Sequence, residues 1–168
     1  MRTNRYFPLC LSSLAAMAAV IFTPNMPVAQ EYLDKDICQD TSTGGPEPLG
    51  DREGHSISVG TYTCKTVDGP LAGATITGTN IWEWDGPKAT LLSGHGVARK
   101  AGTTEVFRVT DGKFEVIMAD GKPTGWTATG TSNSLLTSGS AAALKGKTVS
   151  WTAKPTGPHD FEITSSIK

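Results

Sequence analysis

The chain predicts an antiparallel all-β domain. From Ser56 onward, short runs rich in Thr, Val, Ile and aromatic residues recur between turn signals, and no long apolar period of 3.6 residues interrupts them. Glycine also recurs inside the runs between hydroxyl residues, as in Thr77-Gly78-Thr79, Thr129-Gly130-Thr131 and Ser138-Gly139-Ser140, with Ser93-Gly94-His95 as a variant. Interior glycine weakens a flat strand but permits the bends and bulges of a curved sheet. Regular hairpin spacing with such glycines predicts a single antiparallel up-and-down β-barrel, with a two-sheet β-sandwich as the alternative.

The first 29 residues stand apart from that domain. Arg2 and Arg5 form a positive start, Leu9 to Phe22 is an apolar run, and Pro27-Val28-Ala29 precedes Gln30 with no acidic residue before Glu31. This order of charge, apolar core and small residue predicts a secretory signal peptide over 1–29. The apolar run has 14 residues, short of the ~20 that span a bilayer as a helix, so no stable membrane anchor is expected once the leader is removed. The expected address is periplasmic or extracellular. Cys10 would leave with the leader, and Cys38 and Cys64 would remain to form one disulfide in an oxidising compartment. The loop so closed is about 27 residues, which chain-entropy arithmetic equates with ~3.5 kcal/mol of stabilisation.

Residues 30–55 read as an extended N-terminal arm tied to the body through Cys38. Glu31–Cys38 suggests one or two helical turns, and Thr41-Ser42-Thr43-Gly44-Gly45-Pro46-Glu47-Pro48 excludes a regular ladder. Glu31, Asp34, Asp36 and Asp40 lack the ligand order of a calcium loop and read as a solvated acidic segment. The barrel is expected over 56–168. Turn signals at Asp68-Gly69-Pro70, Asp85-Gly86-Pro87, Ala101-Gly102, Asp111-Gly112, Asp120-Gly121, Asn133-Ser134, Lys145-Gly146 and Pro155–Pro158 divide it into about nine strands, the least regular being Ser138–Leu144. Asp111-Gly112, flanked by Phe107, Val109, Phe114 and Val116, gives the clearest two-residue hairpin signal.

Gly60-Thr61-Tyr62 near the first strand resembles the Gly-x-Trp at the start of lipocalins, with Tyr in place of Trp. With the strand texture, the chain resembles calycin-type barrels of the lipocalin and avidin kind. The resemblance implies a barrel and assigns no functional residue.

The Trp-Glu-Trp run is the most unusual feature. Alternation from Ala74 puts Ile76, Gly78, Asn80, Trp82 and Trp84 on one face and Ile81 and Glu83 on the other. If the first face points inward, two indoles and an amide line the interior, and Trp126 and Trp151 occupy comparable strand positions. Eight-stranded barrels are either filled or just wide enough for one ligand, so Asn80, Trp82, Trp84, Trp126 and Trp151 are the candidate ligand-binding residues. Core filling by the same tryptophans is the competing expectation.

Other chemistries find little footing. His55, His95 and His159 form no HxH or HExxH arrangement, and no metal site is expected. There is no G-x-S-x-G elbow, P-loop or dinucleotide fingerprint, so no cofactor is implied and no catalytic residue can be named. Removing residues 1–29 takes Arg2 and Arg5 from 15 basic side chains and leaves 16 acidic ones, a net charge of −3. Without clustered Lys and Arg, nucleic acid is excluded as a partner. The expected function is that of an exported small barrel binding a small apolar or aromatic molecule in its interior. One alternative is a barrel enzyme of the isomerase or cyclase kind acting on a small hydrophobic substrate. The other is a filled structural or interaction domain of the cell envelope.

Overall fold

Alternating small or apolar and hydroxyl residues build long, strongly paired strands. A computed structural model of the chain describes residues 31–167, so the expected signal peptide lies outside the described residues. The strands are β1 (Glu31–Asp40), β2 (Glu47–Pro48), β3 (His55–Asp68), β4 (Thr75–Asp85), β5 (Lys88–Lys100), β6 (Thr103–Ala119), β7 (Lys122–Ser138), β8 (Thr148–Pro155) and β9 (Asp160–Ile167). Consecutive strands pair antiparallel from β3 to β9, and β1 pairs with both β9 and β3. That last pairing closes an eight-stranded up-and-down barrel and excludes the sandwich. The short β2 lies outside the ring, against Ser56 and Ile57 of β3.

Several local expectations give way to this closure. Glu31–Cys38 is not helical: it is most of the first stave, drawn from the segment expected as an arm. Ser138–Leu144 is not a strand, because Gly139–Leu144 forms a 3-10 helix whose Ala141 and Leu144 are buried. Asp111-Gly112 is not a hairpin either. Strand β6 runs through it with a bulge between Val109 and Asp111, and β7 likewise runs through Asn133-Ser134. The β6–β7 turn falls instead at Asp120-Gly121, where both residues have positive φ (51° and 73°) as a type I′ hairpin requires. Seven strands therefore occupy the region expected to hold nine.

Interior glycines have a second use besides bending the sheet. Gly78, Gly96 and Gly130 stand directly opposite Tyr62, Phe107 and Trp151 on the neighbouring strands. A Cβ at any of them would run into the facing ring. Each aromatic ring thus lies over a bare stretch of backbone.

The two ends of the barrel differ. Leu71, Ala74, Ala141 and Leu144 pack with Leu33, Ile76, Ala98 and Val149 to plug one end. The Cys38–Cys64 disulfide lies in this cluster, joins two directly paired residues of β1 and β3, and so pins the closing seam. On the outer face of the same region, Glu162 of β9 bridges Lys35 of β1 at 3.1 Å and Lys154 of β8 at 2.8 Å.

Candidate functional site

Because side chains alternate across each strand, inward positions of β1, β3, β4 and β6 to β9 converge on one interior space. It is not filled: a cavity of about 430 Å³ runs from the plug toward the end bearing residues 42–46 and 157–160. Volumes of a few hundred cubic ångströms are typical of small-molecule sites.

All five sequence-predicted residues line this cavity: Asn80, Trp82, Trp84, Trp126 and Trp151. The inward face expected for β4 is the observed one. Phe114 of β6 gathers three of the indoles: its ring stacks on Trp126 at 4.8 Å and meets Trp84 and Trp82 edge-on at 5.1 and 6.0 Å. The series continues through Phe161 to Tyr62, with centroids 5.9 and 6.1 Å apart. Gly112 makes room for it, since a Cβ there would sit 3.0 Å from the Trp82 ring and from Leu91. Trp84 donates its indole N–H to Ser58 Oγ at 2.8 Å, which fixes that ring. Asn80 Oδ1 is buried without a hydrogen-bond partner.

Toward the plugged end the lining changes from aromatic to acidic. Asp34 and Asp36, expected in a solvated segment, are each only 5% exposed, and Glu105 of β6 is 7% exposed. The correction follows from alternation. Asp36 and Cys38 are two residues apart on β1, so the strand that turns Cys38 inward to its disulfide turns Asp36 inward with it. Glu105 went unrecognised for want of any local motif, although it alternates with the inward residues Phe107 and Val109.

Burial governs the chemistry of these groups. Loss of hydration pushes the Asp34 carboxyl up to about 6, and the neighbouring charges of Asp36 and Glu105 push the same way. The Leu71 N–H, donated to Asp34 Oδ1 at 3.1 Å, and the charge of Lys100 oppose the rise. Asp36 and Glu105 are also raised, chiefly by burial. The Ser134 hydroxyl donates to Glu105 Oε1 and restrains it. Thr66, across the seam from Asp36, opposes its rise but does not reach hydrogen-bond geometry, so Asp36 Oδ1 and Thr66 Oγ1 are both buried without partners. Desolvation, aided by the Asp36 charge, pushes the Tyr62 phenol up to about 12.

The histidines do not converge. His95 is exposed on β5, and His159 is exposed where the 157–160 segment borders the cavity. His55 is buried at the start of β3, outside the cavity, between Asp51 and Glu83 Oε1 (2.9 Å), and both carboxylates raise its pKa. No group of three His, Cys, Asp or Glu side chains is arranged to hold a metal among the described residues.

No family model, curated protein or solved structure matches the chain.

Proposed function

We propose that this protein is an exported barrel that binds a small apolar or aromatic molecule in its interior. The carrying observation is the unfilled cavity of about 430 Å³ bounded by all four tryptophans of the chain. A barrel whose tryptophans merely filled its core would leave no such space, because interiors pack to near-crystalline density. The Phe114–Trp126 stack and its edge-on neighbours offer flat, polarisable surfaces to an aromatic or alicyclic body. For export, the leader-like residues 1–29 are supported by the disulfide, which is consistent with an extracellular or periplasmic location.

The test uses N-phenyl-1-naphthylamine, an uncharged apolar probe at neutral pH that brightens when desolvated. The expected result is a saturable rise in its emission with one probe per chain. Trp126→Ala or Trp84→Ala should weaken binding about five- to tenfold, as expected for a lost ring contact of ~1–1.5 kcal/mol. Leu136→Ala, on the outer face and 65% exposed, should leave it unchanged. Non-saturable emission, or equal binding by all three variants, would place the probe on the outer surface and refute the reading.

A further inference from the structure

The charge of the cavity lining is one-sided. Among the described residues, five carboxyl groups line it and no lysine or arginine does. Asp40 and Asp160 stand toward the open end, and Asp34, Asp36 and Glu105 stand at the floor. Asp34 is already engaged, by the Leu71 N–H and by the charge of Lys100, whose Nζ is held outside the cavity on the carbonyls of Pro70 and Ala72. Glu105 has one hydroxyl donor, from Ser134. Asp36, 95% shielded from solvent, has only the Thr66 hydroxyl beside it, outside hydrogen-bond geometry.

We propose that the interior is a site for a small organic cation, a protonated amine on a flat or apolar body, whose ammonium is held between the carboxylates of Asp36 and Glu105 while the neighbouring lining rings of Tyr62 and Phe107 hold the body. The inference rests on the reading of the cavity as a ligand site and adds the chemical class. An ammonium is the natural complement, with three donors and no acceptor to leave unpaired. Its bonds to carboxylates are charge-assisted and strengthen away from water. The faces of Trp and Phe rings attract cations, so the aromatic wall favours the same ligand on its way in and once bound. A cleft lined by one sign of charge concentrates the opposite sign and repels its own, which disfavours anionic ligands.

The test compares three naphthalenes of matched shape by isothermal titration calorimetry on the intact protein: 1-naphthylmethylamine (cationic), 1-naphthalenemethanol (neutral) and 1-naphthoate (anionic). The expected result is amine binding at least tenfold tighter than the alcohol, with naphthoate weakest. Asp36→Asn should bring the amine-to-alcohol ratio close to one by weakening the amine. Glu105→Gln should reduce the ratio in the same direction and stands in should the first variant fold poorly. Equal binding of amine and alcohol, both weakened by Phe107→Ala, would overturn the cation inference and leave the cavity reading intact. An amine preference that survives both carboxylate variants would overturn the assignment to the floor. No binding of any of the three would overturn both readings.

Discussion

At the plugged end of the barrel, Asp34, Asp36 and Glu105 are acids whose protons the folded protein holds more tightly than the unfolded chain does. A carboxyl raised on folding binds more protons in the native state, so native stability falls as pH rises from the ordinary value toward the raised one. For Asp34 that window runs from 3.8 to about 6. His55 adds to the trend above it: its pKa is raised by Asp51 and Glu83, so its contribution is present below its ordinary value and lost as pH rises through the raised one. Asp51 and Glu162 shift the opposite way, and their contribution is lost only as pH falls below the ordinary carboxylate range. The thermal midpoint should therefore be highest in mildly acidic buffer and decline toward pH 8. Asp36→Asn should raise the midpoint at pH 7.5 by a few degrees, about 1 kcal/mol, and change it little at pH 4. A flat profile, or equal effects at both pH values, would show that these acids are not buried as described. A stabilising loss of a buried charge is the behaviour expected of a group kept for binding. The acids were hidden in the sequence because nothing local marks a carboxylate as inward. The signal is alternation with an inward neighbour, Cys38 two positions after Asp36 and Phe107 two after Glu105, and it becomes readable once each segment is known to be a strand.

The strands are legible where turn chemistry and pattern agree. Gly86, Gly102, Gly121 and Gly146 all adopt positive φ at turns that the sequence marks. Asp111-Gly112 shows the limit of local signals: the dipeptide suits a type I′ turn, but here its glycine lets the Trp82 ring pack close against it from two strands away. Interior glycines likewise report ring contacts that a single strand cannot show. Gly130→Ala should cost ~2–4 kcal/mol, because the new Cβ meets both the Trp151 ring and the Asp111 carbonyl. Gly125→Ala, on the same strand with open space around it, should be neutral or slightly stabilising. Denaturant unfolding of the two variants checks the difference, and equal effects would contradict the ring-over-glycine packing. Replacing Cys38 and Cys64 together by Ser should cost about 3.5 kcal/mol, seen as a fall in midpoint concentration. The loss should show first as faster amide exchange in β1, since the disulfide pins that strand to β3.

For the whole molecule, strand texture and interior glycines anticipated a closed barrel, and the pairing of β1 with β3 and β9 closes it. Composition does not say whether a barrel is hollow. Trp82 and Trp84 would be equally suited to filling it, and only their packing around Phe114 with space left beside them separates the two outcomes. The proposed function places a small molecule in this interior. Native mass spectrometry of the protein from its exported fraction tests it most directly, with 1-naphthylmethylamine added to one half of the sample. The expected result is a polypeptide lacking its leader and two hydrogens, carrying one reproducible adduct on the order of a few hundred daltons. The added amine should compete with that adduct, or occupy the barrel one to one where none is retained. A bare polypeptide mass that the amine leaves unchanged would contradict it.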